Sequence, residues 1–250
     1  MLALSLRSPS TWRLPSRETR ILAWAGLALA LHFGTWIASL QYVSVAISTL
    51  LVATTPIWTA AYDAIFRKRP LTRLACAAFV TGGIGVCAVV GFNRTAPPIG
   101  GHEALGALLA IAGSVAIGAY FILVREVRAQ LDTRTIVTHT YAWAAAVLVV
   151  AAAIAHQPPP ALTASAAWSG IVAMALISQL LGHTAMNAAL RWFTPSAVSF
   201  STLLEPVVAA VLALLFFGEG IAAAAVAGAV LLLVSIGIVL REEPMSEEAA

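Results

Sequence analysis

The residues best placed to do chemistry are the few polar ones inside long apolar runs, and Glu205 stands first among them. It falls about nine residues into its run, roughly 14 Å deep at the helical rise and close to the middle of a bilayer. A charge at that depth costs about 2.5–3.5 kcal/mol on insertion scales, so the carboxyl group needs a reason to be there. It could exchange a proton or meet a cationic group. The alternative is a hydrogen-bonded Glu that ties helices together through Ser201 or Thr202, one turn back. Its neighbour Pro206 removes one helix hydrogen bond and frees a carbonyl, so the helix can bend there, and Pro56 is the matching bend residue nearer the N-terminus. Gln179, His183 and Asn187 recur every four residues and draw one polar stripe. His32 and Ser39 straddle Thr35 and Trp36 on the first span. Such stripes face a partner helix or a watery cavity rather than lipid. His32, Trp36, Gln179, His183 and Asn187 therefore join Glu205 as candidate substrate-binding or coupling residues, with interhelical hydrogen bonding as the other reading.

Other chemistry is not signalled. There is no Walker loop for a nucleotide and no His-Glu-x-x-His for zinc. Gly82-Gly83-x-Gly85 lies inside an apolar span, where close helix packing explains it better than phosphate binding. The histidines are scattered without ligand spacing, so neither a metal nor a cofactor is expected. Cys76 and Cys87, roughly 16 Å apart along one helix, are beyond disulfide reach and read as small buried hydrophobes. Tyr120, Tyr141 and Trp143 are gate or substrate-stacking candidates, or members of an interfacial belt. Asp63 stands four residues before Arg67, the spacing of a helix-surface ion pair.

The elements that must position these residues follow from composition. Only 10% of the chain is charged, against roughly 25% in an ordinary soluble domain, so the surface cannot be one that faces water. Eight apolar segments are long enough to cross a hydrocarbon core about 30 Å thick: 21–42, 45–66, 74–92, 104–124, 136–156, 166–191, 196–217 and 221–241. The fold class expected is all-α and integral to the membrane. The net charge of +3 does not indicate nucleic acid, because the basic residues lie in short loops. With a cytoplasmic N-terminus, thirteen of them fall inside and only Arg94 outside, and an even number of spans returns the C-terminus to the cytoplasm.

Shifting the chain by 150 residues brings Leu40 onto Leu190, Tyr42 onto Trp192, Ser44 onto Thr194 and Pro56 onto Pro206. The shift moves five spans, an odd number, so the two copies are inverted in the membrane. Inverted repeats are a recurrent build of secondary transporters, whose sites lie near the midplane where the copies meet. The expected organisation is a cytoplasmic segment over 1–20, a first copy of three helices over 21–92, a second copy of five over 104–241, and a cytoplasmic tail over 242–250.

Two stretches carry a family resemblance. "LHFGTWIASLQYVSVAISTLLVATTPIW" with "GGIGV", and "TPSAVSFSTLLEPVVAAVLALLFFGEG" with its Leu204-Glu205-Pro206 and Gly218-Glu219, resemble the EamA family of the drug/metabolite transporter superfamily. The resemblance implies ten spans in two inverted five-helix copies, and movement of small metabolites by alternating access. The chain departs from that pattern where Lys68-Arg69 replaces the Gly-Glu pair, and by lacking two helices before residue 21. The expectation is that an upstream frame encodes them, or that a partner, such as a second copy of the chain, covers the open cavity wall. The leading function is a secondary transporter, an exporter of small molecules across the cell membrane. The rivals are an inactive or partner-dependent membrane fragment, and an integral-membrane enzyme or assembly subunit.

Overall fold

In lipid every backbone N–H and C=O must bond within its own segment, so long apolar runs become helices. The computed structural model describes residues 14–43, 45–92, 102–217 and 223–242, and shows helices and no strand among them. Four are unbroken and both long and apolar enough to cross a bilayer: α1 (Ser16–Ser39), α5 (Glu103–Val127), α6 (Thr133–Ile154) and the composite Ser165–Ala189. This last begins as α7 (Ser165–Ala173), widens into a π-helix over Met174–His183 and ends as α8 (Thr184–Ala189). Two shorter apolar spans are α4 (Arg73–Phe92) and α11 (Ala223–Glu242). All eight expected spans are therefore helical, with ends shifted by a few residues.

Two of them are interrupted. The span expected over 45–66 is α2 (Val45–Val52) and α3 (Thr55–Phe66), separated by a turn with Pro56 in the first turn of α3. Proline has no N–H to give the Val52 carbonyl four residues back, and its ring crowds that carbonyl, which accounts for the break. The span expected over 196–217 is α9 (Pro195–Ser201), a 3₁₀ turn over Thr202–Leu204, and α10 (Glu205–Phe217), in which Pro206 is the second residue. Ser44, Arg94, Gly218-Glu219, residues 1–13 and residues 243–250 lie outside the described residues.

Contacts divide the chain into two compact units, Met1–Ala30 with Tyr120–Trp192, and Leu31–Ala119 with Phe193–Ala250. In the first, Leu22, Leu29, Tyr120, Phe121, Ile136, Val137 and Leu190 are fully buried. Gly26 admits α6 closely, since a Cβ there would lie 2.3 Å from that of Trp143. In the second unit α4 lies along α11. A Cβ on Gly85 would sit 2.8 Å from the Gly228 carbonyl oxygen, so the backbones touch as small residues permit in membranes. Ser235 Oγ donates to the Ala78 carbonyl across this seam at 2.7 Å. Ala78, Val86, Phe200, Leu203, Leu232 and Ile236 form the adjoining core. Cys76 and Cys87 are free but exposed, contrary to the expected burial, since neither is among the buried residues of α4 that form this core. Asp63 and Arg67 do form their ion pair, at 3.5 Å.

Candidate functional site

Polar groups collect where the second unit's helices are interrupted. At the turn between α2 and α3 the Leu51 carbonyl accepts from Thr54 Oγ1 at 2.6 Å, and the Val52 carbonyl from Thr55 Oγ1 at 2.7 Å. Ser114, wholly buried on α5, donates to the same Val52 carbonyl at 3.1 Å. Its hydroxyl oxygen lies 3.0 Å from Thr54 Oγ1 and 3.1 Å from Thr55 Oγ1, and it accepts the Trp58 indole N–H at 3.1 Å. Carbonyls released by the break are thus met by side chains, as a buried backbone requires. Pro56 is buried beside this network.

His32 is buried on α1, with Nδ1 2.9 Å from the Gly113 carbonyl. A carbonyl only accepts, so Nδ1 carries the proton. The imidazole stacks on Trp36 with centroids 5.8 Å apart and planes 10° from parallel. The buried indole nitrogen of Trp36 has no hydrogen-bond partner among the described residues. It is a donor left unanswered next to a fixed imidazole.

Glu205 opens α10 directly after the 3₁₀ turn and is exposed. The hydroxyls suggested as its partners are engaged elsewhere: Ser201 donates to the Val198 carbonyl at 2.6 Å and Thr202 to that of Ser199 at 2.7 Å. Neither hydroxyl therefore donates to the carboxyl.

In the first unit the stripe Gln179, His183 and Asn187 straddles the end of the π-helix, so its four-residue spacing does not run along one regular α-helix. Asn187 is fully buried. Its Nδ2 donates to Tyr120 Oη at 2.7 Å and to the His183 carbonyl at 2.7 Å, and Tyr120 Oη lies 2.9 Å from Oδ1. Tyr120 belongs to the interior, not to a belt. Tyr141 Oη reaches the Gln179 carbonyl and Thr184 Oγ1, both at 3.3 Å. The Gln179 side-chain oxygen is buried with no partner among the described residues. π-Helices recur at functional sites because they misalign the backbone ladder. Trp143 is exposed.

Sequence reasoning picked out His32, Trp36 and Asn187 but missed Ser114, Thr54, Thr55 and Trp58. The signal that could have found Ser114 is its setting between Gly113 and Gly118, small residues that admit a neighbour closely. Among the described residues no three His, Cys, Asp or Glu side chains are grouped to hold a metal.

The model of the EamA-like transporter family matches residues 1–91 and 104–241. No curated protein matches the chain. A solved structure described as "Crystal structure of protein" is similar over 95% of this chain and 81% of its own, with a TM-score of 0.76 and 16% identity. At that identity the likeness speaks for the fold alone.

Proposed function

The chain belongs to the EamA-like transporter family, multi-pass membrane proteins of the drug/metabolite transporter type, and from that premise we propose that it exports small metabolites across the cytoplasmic membrane as a secondary transporter, by alternating access. The observation that carries this reading is the pair of interrupted spans. Pro56 and Pro206 are 150 residues apart, and each follows a break in its helix. Discontinuous helices at matching positions of two inverted halves mark transporter binding sites, since their free backbone groups can meet a solute. The same shift carries Arg73–Phe92 onto Ala223–Glu242, and these two helices pack along each other, which supports an inverted repeat of three and five helices.

Roles follow from the partners each residue has. Glu205, without a hydrogen bond to its carboxyl among the described residues, is the coupling group for a proton or a cationic solute. Among the described residues, Trp36 offers an unanswered N–H beside His32, and Gln179 an unanswered side-chain oxygen on the stripe it shares with His183 and Asn187. Each is a group that a small polar solute could meet, an acceptor on the solute at Trp36 and a donor at Gln179. Both termini lie in the cytoplasm on this reading.

The test is counterflow in liposomes that hold the purified chain. Vesicles preloaded with an unlabelled amino acid, nucleoside or amine are diluted into its labelled form. Transient accumulation of at least one tracer above protein-free vesicles is expected. If none of the three classes accumulates, with the protein shown folded, the transport reading fails.

A further inference from the structure

Arginines gather at one end of the unit that holds Tyr120–Trp192. Arg125 sits in the last turn of α5, and its Nη1 donates to the carbonyls of Leu190 and, at 3.0 Å, of Arg191. These bonds pin the end of α5 to the residues that follow α8. Arg128 comes three residues later and is only 7% exposed. Its Nη1 donates to the Leu131 carbonyl at 2.7 Å and its Nη2 to Thr133 Oγ1 at 2.6 Å. The Arg128 Nε is buried with no partner among the described residues. Arg191 is exposed, its guanidinium 5.1 Å from the centroid of the Trp192 ring, which is itself exposed.

Arg134 adds a fourth basic residue, and the acids of this stretch are Glu126 and Asp132. Asp132 caps α6 by accepting from the Thr135 N–H at 2.7 Å. Burial, then repulsion from Arg191 and from Arg125, hold Arg128 below the usual arginine range against the pull of Asp132. Positive charge is therefore held in place and only partly compensated. The backbone bonds of Arg125 and Arg128 fix their guanidinium groups before any ligand arrives, and Arg191 is left at the surface to make contact.

We infer that Arg125, Arg128 and Arg191 form a binding site for a phosphate group at the membrane surface, beside Trp192 at headgroup depth. The planar guanidinium fork matches phosphate oxygens in pairs, and exposed Trp is at home where headgroups begin. The phosphate comes from an anionic phospholipid or from free phosphate in solution.

The experiment uses the full chain in detergent micelles, titrated with phosphatidylglycerol, phosphatidylcholine or inorganic phosphate. The readouts are the thermal midpoint and lipid retention in native mass spectrometry. Wild type is expected to retain phosphatidylglycerol over phosphatidylcholine, and Arg191→Gln to weaken that binding about fivefold, the effect of one arginine near an anionic surface. Arg191 is exposed, so this variant should fold. Arg128→Lys, which keeps charge but loses the fork, should weaken binding less than Arg191→Gln. Arg73→Gln, a basic position outside the cluster, should leave it unchanged. A rise in midpoint with inorganic phosphate alone that Arg191→Gln abolishes would assign the site to free phosphate; a response to phosphatidylglycerol alone assigns it to the lipid. Equal binding by wild type and Arg191→Gln in both arms overturns the site. So does an equal loss in Arg73→Gln, which would mean diffuse charge.

Discussion

Glu205 and Asn187 are both polar groups in apolar helices, but their surroundings differ. Asn187 spends its amide on Tyr120 and on the His183 carbonyl inside the unit, whereas no hydrogen bond to the Glu205 carboxyl exists among the described residues. A group that holds helices together should show its cost in stability, and a group kept for turnover should show it in transport. Tyr120→Phe strips Asn187 Oδ1 of its partner while keeping the ring. It should lower stability by about 1–2 kcal/mol, within the range for a membrane hydrogen bond or an unmet buried acceptor, as read from denaturant unfolding in micelles. Glu205→Gln keeps size and removes the titratable proton. Unfolding should be unchanged and coupled transport lost at every external pH tested. Undiminished transport by the Gln variant would remove Glu205 from the mechanism.

At the scale of elements, the interrupted spans depend on side chains lent by a neighbouring helix. Ser114→Ala leaves the Val52 carbonyl to Thr55 alone and takes away the acceptor of the Trp58 indole N–H. A loss of about 1 kcal/mol is expected, with the Trp58 fluorescence shifted as its N–H bond is broken. The end of α3 gives a second case. Lys68 has φ 54, the left-handed region that glycine enters freely, and the 150-residue shift places it on Gly218. Lysine there bears a strain of about 1–2 kcal/mol, partly offset by glycine's greater chain entropy. Lys68→Gly should therefore raise stability by about 0.5–1 kcal/mol, visible as a higher thermal midpoint. The helices were legible in the sequence because bilayer thickness fixes the length of an apolar run, as at α4, expected over 74–92 and found at Arg73–Phe92. The interruptions were legible in part: Pro56 and Pro206 marked where the helices could bend, but not that they would break there, since Thr54-Thr55-Pro56 scores as ordinary apolar span and proline is tolerated in membrane helices. The π-helix left no mark in the composition of 174–183. Of the site, His32 and Asn187 showed as polar residues in apolar runs. Their partners, Gly113 from 81 residues away and Tyr120 from 67, are tertiary facts. Ser114 gave little signal because one hydroxyl can bond back to its own helix cheaply.

For the whole molecule the question is which loops face the cytoplasm. The proposed orientation puts thirteen basic residues on the cytoplasmic side against Arg94 on the other, as the positive-inside rule favours. Three contacts support the same arrangement by pairing ends that it puts together. Arg125 bonds the Leu190 and Arg191 carbonyls, and Ser196 donates to Asp63 at 3.0 Å, all on the side assigned to the cytoplasm. Tyr42 meets His102 edge to face at 6.3 Å on the other side. A cysteine at position 70, in the loop between α3 and α4, should then resist an impermeant maleimide added to intact cells and react once the membrane is opened. A cysteine at position 96 should react from outside in both conditions. Cys76 and Cys87 are exposed on α4, so both must first be changed to serine, or their labelling would obscure the result. If position 70 is modified from outside while position 96 is protected, the orientation is reversed. The basic loops would then lie outside, against the rule that most membrane proteins obey.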